Sequence, residues 1–410
     1  MRKINTRKFR IATRSTYREI NSAIVLNLIR EHQPISRAEL ARRMSVKRGA
    51  LTELVRELLE ANEVFESGTA TSARGRRPTL LRVQTSARVA HAVDVRSSQT
   101  TVALVDFGAT VLKREVFPTP QKPEELAREI GKRVNAMLGD GTLPIGAKYY
   151  GVGVVVPGMV DRRGGRVLYA PRLGWRDVEL RELLKQHVEA PISVESAPTA
   201  CALARLWTMA GDATVNNFAY VSVSDGIGVG VVLSGEVLRG EAHTAGEFGH
   251  VSLDPYGPLC ACGRKGCWEA FACNAATSMR YVALATGNAN TPSANGQRRG
   301  PLPSVEEIVR RAKRGEKAAQ TALAETGREI GRGLAVVVSV LNPKRIYLGG
   351  EVTAAWDLLE PPMRKALAEA TITTAARETP IFATGATSEY RLLGAVALVA
   401  APNYAAPKIG

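Results

Sequence analysis

The sequence predicts an α/β protein with an N-terminal winged helix-turn-helix and a two-lobed body behind it. Three observations carry that reading. At 410 residues with 45% apolar content, the chain is too long for one hydrophobic core and apolar enough to build several. Before residue 60, short helical periodicities follow one another at helix-turn-helix spacing. From about residue 88 a strand, glycine turn, strand pattern sets in, and it returns in FAYVSVSDGIGVGVVLSGEVLRG near residue 218, as two similar α/β lobes facing a cleft would require.

The elements follow in order. YREINSAIVLNLIREH, residues 17 to 32, sets Ile20, Ile24 and Leu28 at helical spacing beside Ala23 and Val25, and Pro34 ends the run. Ser36-Arg37-Ala38-Glu39 reads as a capping box opening a short helix with Leu40 and Met44 inward. A third helix follows with Leu51, Leu54, Val55, Leu58 and Leu59 on its buried face. In this motif the start of the last helix enters the major groove, so Lys47, Arg48 and Thr52 are candidates to read bases, with Ser36 and Arg37 beside them. VFESGTATSARGRRPTLLRV reads as a two-stranded wing that presents Arg74, Arg76 and Arg77 to the DNA backbone or a narrow minor groove. The alternative is a small helical domain that binds protein.

Charge supports a polyanion partner. Residues 1 to 86 hold 18 Lys and Arg against 8 Asp and Glu, a surplus of 10 within a chain whose net charge is +16. A solvated basic face is the plainer explanation of charge taken alone. In the body, a helix is expected over 123 to 138, a strand in YYGVGVVVPGMVD, a polar surface loop over 284 to 304, a long helix over 316 to 341, and a strand in NPKRIYLGGEV. No apolar run is long enough for a membrane span, and the N-terminus lacks the apolar stretch of a secretory signal, so a cytoplasmic protein is expected. A reducing compartment disfavours disulfides. Three of the five cysteines lie within eight positions, which in such a compartment points to metal or redox chemistry, whereas Cys201 and Cys273 read as ordinary buried thiols.

GEFGH at 246 to 250, CACGRKGCWE at 260 to 269, VVPGMVD at 155 to 161, LNPKRIYLGGEV at 341 to 352 and the basic GRRP at 75 to 78 together resemble the ROK family of sugar kinases and sugar-responsive repressors. The resemblance covers nearly the whole chain and implies an actin/hexokinase-like body. It implies domains at 1 to 86, at 87 to 199 completed by a C-terminal helix near 387 to 404, and at 200 to 386. It also implies one structural Zn2+ per chain on His250, Cys260, Cys262 and Cys267, a closed tetrahedral set with no position left for water. Gly158, Ser196, Glu247, His250 and Glu269 would bind a small carbohydrate-like effector. The implied partners are operator DNA with an inverted repeat and a second copy of the chain, as a homodimer or dimer of dimers.

No catalytic residue is expected. The family's kinases carry their base as the Asp of an Asn-Asp pair, but this chain reads Val194-Glu195-Ser196-Ala197. Their first phosphate loop reads D-x-G-G-T, and here Asp94-Val95-Arg96-Ser97-Ser98 has lost both glycines. Their second reads G-T-G-I-G, and here Ser224-Asp225-Gly226-Ile227-Gly228 puts a carboxylate beside the phosphate position. The competing expectations are a sugar kinase with a fused winged helix, and a regulator that answers a protein partner instead of a sugar.

Overall fold

The structure is a computed structural model that describes residues 14–69, 78–208, 215–287, 302–385 and 387–403. At the N-terminus, α1 (Arg14–His32), α2 (Arg37–Arg43) and α3 (Arg48–Glu60) pack around a small sheet. Its strands β1 (Ile35–Ser36), β2 (Val64–Thr69) and β3 (Thr79–Val83) pair antiparallel in the order β1-β3-β2. Half of the expected capping box forms: Ser36 Oγ accepts from the Glu39 amide at 3.2 Å, whereas the Glu39 carboxylate pairs with Arg42 and Arg43 one turn on. Leu40, Leu51, Val55 and Leu58 are buried as the periodicity requires, with Met44, Leu54 and Leu59 partly buried against them.

The buried stripe of α1 differs from the expected one. Val25, Leu26 and Ile29 are buried, whereas Ile24 is 40% exposed. The reason is that α1 packs on two sides, against α3 and against the body, in one continuous core with Phe107 and Trp207.

The first lobe is built on a five-stranded sheet of order β11-β7-β4-β5-β6. Its strands are β4 (Arg88–Val95), β5 (Gln99–Asp106), β6 (Val111–Pro118), β7 (Lys148–Val156) and β11 (Ile192–Ser196). α4 (Pro123–Gly139) and α5 (Leu180–Lys185) cover one face. A small antiparallel sheet, β8 (Met159–Asp161), β9 (Arg166–Ala170) and β10 (Trp175–Val178), rides beside it. On the other face lie α6 (Ala197–Thr208) and the C-terminal α13 (Thr387–Ala400). The approach of α13 is so close that a Cβ on Gly153 of β7 would lie 1.9 Å from the Ala395 carbonyl oxygen, so only glycine fits there.

The second sheet has the order β14-β13-β12-β15-β16, from β12 (Phe218–Val223), β13 (Ile227–Leu233), β14 (Glu236–Val237), β15 (Arg345–Gly349) and β16 (Ile381–Ala383). Its helices are α7 (Trp268–Ala272), α8 (Asn274–Thr286), α9 (Val305–Lys313), α10 (Lys317–Leu341), α11 (Trp356–Ala370) and α12 (Thr374–Arg377). α10, the longest, is buried along the Ile330, Leu334 and Val338 side. The expected loop at 284 begins later, because α8 runs to Thr286 and stops at Gly287 with φ +66. α6 packs against β12 and β13 as well as against α13, so it sits between the two sheets. Among the described residues no helix is long and apolar enough to cross a membrane.

Candidate functional site

The ends of β4, β7, β11, β12 and β13 converge on a cleft between the lobes. It is lined by Gly158, Ala197, Pro198, Glu247, His250 and Glu269, with Arg96, Ser97, Asp225 and Arg391 at one end. Of the residues expected to bind an effector, the cleft thus takes Gly158, Glu247, His250 and Glu269. Ser196 closes β11 just behind, its amide donating to Glu195 Oε1, and the wall is formed by its neighbours Ala197 and Pro198.

The three polar groups are not equivalent. Burial, with the Glu269 charge as the lesser cause, pushes the Glu247 carboxyl up to about 7. Glu269 is already engaged: its Oε2 accepts from the Ile227 amide at 3.0 Å and its Oε1 lies 3.8 Å from Cys260 Sγ. It ties α7 to the β12–β13 turn and offers a ligand less than its position suggests. His250 ends a short helical turn, Phe248–His250, and its Nδ1 faces Cys260 Sγ at 3.7 Å, which leaves Nε2 as its other polar atom.

His250, Cys260, Cys262 and Cys267 bring one ligand atom each within 4.8 Å of one another. A tetrahedral ion with metal–sulfur bonds of about 2.3 Å would set its sulfurs about 3.8 Å apart. Cys262 Sγ and Cys267 Sγ are 3.7 Å apart, as are Cys260 Sγ and His250 Nδ1, so these two pairs already stand at the spacing such an ion requires. Gly266 shapes the loop: its φ is +73, and a Cβ there would lie 1.5 Å from the Asp254 carbonyl oxygen. Cys201 and Cys273 are buried away from this cluster, and burial pushes the Cys201 thiol up to about 12.

In the N-terminal helices, Lys47 is the N-cap of α3 and exposed, as is Thr52 one turn on. The backbone of Arg48 begins α3. Arg37 is partly engaged, its Nη2 donating to Glu66 Oε1 of the wing at 2.8 Å, and Ser36 spends its hydroxyl on the cap. Arg74, Arg76 and Arg77 lie outside the described residues, between the two wing strands.

Sequence reasoning did not find the charged groups that meet at Asp94. Arg391 Nε and Arg96 Nε both donate to its carboxylate, and Arg391 Nη2 donates to the Val95 carbonyl at 2.7 Å. It also missed Arg239, whose Nη2 lies 3.2 Å from Glu195 Oε2 of β11. No local pattern marks Arg391 or Arg239, because they are separated from Asp94 and Glu195 by 297 and 44 residues.

Residues 90–401 match the ROK family, and residues 20–64 match the MarR family. A putative xylose repressor from Caldicellulosiruptor sp. (strain Rt8B.4) is 28% identical over 397 residues, 95% of this chain and 98% of that protein. The DNA-binding transcriptional dual regulator NagC of Escherichia coli K12 is 28% identical over 85% of each chain. A crystal structure of a ROK family transcriptional regulator, a homolog of the E. coli MLC protein, superposes with a TM-score of 0.74 at 24% identity, over 93% of this chain and 96% of that one. A ROK family glucokinase from Streptomyces griseus, solved with glucose and AMPPNP, superposes with a TM-score of 0.63 at 25% identity, over 76% of this chain and 99% of the enzyme.

Proposed function

The chain belongs to the ROK family, and from that premise we propose that it is a DNA-binding transcriptional regulator, acting as a repressor, whose operator affinity is set by a carbohydrate-like ligand in the cleft. The observation that carries this reading is the fusion of a winged helix-turn-helix, with Lys47 and Thr52 outward on α3, to the core of a lobe whose cleft retains Glu247 and His250. The similarity to the putative xylose repressor runs over 95% of this chain, so it takes in both the N-terminal segment and the body.

DNA is read by Lys47, Arg48 and Thr52, with Arg74, Arg76 and Arg77 of the wing on the backbone. A twofold homodimer then meets an inverted repeat. The division of labour runs 1 to 86, 87 to 199 with the C-terminal helix, and 200 to 386. The cleft binds and does not phosphorylate: Ala197 has no proton-accepting group, and Asp225 sets a carboxylate at the end where phosphate would lie. Glu247 accepts from a ligand hydroxyl, and His250 offers Nε2 while Nδ1 faces Cys260. The four-residue cluster would hold one structural Zn2+, which would supply a cross-link between the 251 to 267 loop and the segment bearing Glu247.

The test is a carbohydrate screen read two ways, by melting temperature and by operator binding, with the operator obtained by selection from random duplexes. A ligand that binds one cleft state better by about 2 kcal/mol changes operator affinity about 30-fold through linkage. Glu247→Ala should abolish that change and leave operator binding of the free protein intact. A screen of sugars, sugar phosphates and amino sugars that moves neither readout would refute the reading, and ADP release in a coupled assay would revive the kinase alternative.

A further inference from the structure

Four residues at one end of the cleft join the lobes directly. Ser97, in the β4–β5 turn of the first lobe, donates through Oγ to Asp225 Oδ2 in the β12–β13 turn of the second, at 3.2 Å. Arg96, beside it, lies with Nη1 3.5 Å from Glu351 Oε1, at the end of β15 in the second lobe. Each partner is anchored in its own lobe. Arg96 Nε donates to Asp94 of β4 at 3.1 Å, and Asp94 is gripped from behind by Arg391 of α13. Glu351 Oε2 accepts from Asn274 Nδ2 of α8 at 3.1 Å. The bridge is therefore a chain, Arg391, Asp94, Arg96, Glu351, Asn274, running from the last helix of one lobe to a helix of the other.

The pair at its centre is well screened from water. The Arg96 side chain is 20% exposed and that of Glu351 is 12% exposed, so their attraction is weakened far less than that of a surface pair. Arg96 is flanked by the carboxylates of Asp94, Asp225 and Glu351, and with Arg391 it leaves two cations among three anions. That balance favours the guanidinium staying between the lobes and disfavours a phosphate group in its place.

We propose that Arg96 and Ser97 of the first lobe with Asp225 and Glu351 of the second form an interlobe clasp, which holds the cleft at a defined opening without a bound nucleotide. A ligand deeper in the cleft then works against, or with, a fixed spring made of side chains. The clasp stands on the contacts alone; its regulatory use rests on the gated-cleft reading above.

The experiment is hydrogen exchange on the full-length, metal-loaded protein without added sugar, comparing wild type with Glu351→Gln and Asp225→Asn. Glu351→Gln keeps a partner for Asn274 and removes the charge that Arg96 meets. Loss of the contact should speed exchange roughly five- to tenfold in the loop of the opposite lobe, residues 95 to 100, whose sequence neither substitution alters. Ser97→Ala should do the reverse, loosening residues 222 to 228, and it serves alone if the other variants fold poorly. Faster exchange confined to the substituted loop, or unchanged exchange in both, would overturn the clasp. Operator titration of the same variants separates the clasp from its regulatory use: loosened opposite loops with unaltered operator affinity support the clasp and overturn its part in setting operator affinity.

Discussion

His91 sits in the middle of β4, fully buried, with Nδ1 3.0 Å from the Tyr149 hydroxyl. Burial pushes its pKa down to about 4 from 6.5. A base whose folded pKa is depressed gives stability that is present above the unfolded pKa and lost as pH falls, because below 6.5 the unfolded chain takes a proton that the folded one refuses. Wild-type stability should therefore fall between pH 6.5 and 4 by up to about 3 kcal/mol from this residue. His91→Gln, which keeps a polar partner for Tyr149, should show a shallower decline in urea midpoint over that window; parallel curves would disprove the assignment. At this scale the sequence was legible where chemistry is local. The capping hydroxyl of Ser36 and the cysteine spacing announce themselves within a few positions, whereas Asp94 gives no sign of Arg391 until the C-terminal helix folds back over β4.

Among the elements, the loop from Val251 to Cys267 has little apolar material of its own, with Val251 and Tyr256 exposed. Backbone pairing across its ends, Ser252 with Cys267 and Leu259 with Lys265, closes it together with the four-residue cluster and the tight backbone at Gly266. Cys262→Ser should lower the metal content of purified protein and its melting temperature together, since a structural site returns its binding energy as folding energy. Gly266→Ala should cost at least about 1 kcal/mol with all four ligands intact, because the added Cβ meets backbone rather than a side chain that can move. If chelation leaves the Cys262→Ser and wild-type melting curves equally unmoved, the cluster does not brace this loop. The long helices were readable almost to the residue, 123 to 138 against Pro123–Gly139 and 316 to 341 against Lys317–Leu341, because strong periodicity and flanking Pro or αL Asn342 mark them. The face of α1 was not, since its periodicity answers to two partners and only one of them is nearby in sequence.

On the scale of the whole molecule, the winged helix-turn-helix is not a bead on a string. Arg30 of α1 lies 4.7 Å over the ring of Trp207 and donates through Nη1 to the Trp207 carbonyl at 3.3 Å, while Phe107 meets the same ring edge to face at 6.4 Å. Glu63, just before β2, pairs with the buried Arg88 at the start of β4. Trp207 lies near the end of α6, whose first residues, Ala197 and Pro198, line the cleft. One rigid helix thus touches the ligand space at one end and the DNA-binding head at the other, which is the physical continuity that coupling between two sites can use. Two consequences follow together. The head and first lobe should unfold in a single calorimetric transition, since they share a core. Trp207→Ala, removing a half-buried ring at a cost of about 2 kcal/mol, should split off a lower transition belonging to the head and shrink the ligand's effect on operator affinity, while the ligand's own affinity for the cleft stays within about twofold. A wild-type protein that already melts in two steps, with a head whose operator binding ignores Trp207→Ala, would show that α6 transmits nothing and that head and body communicate by another route.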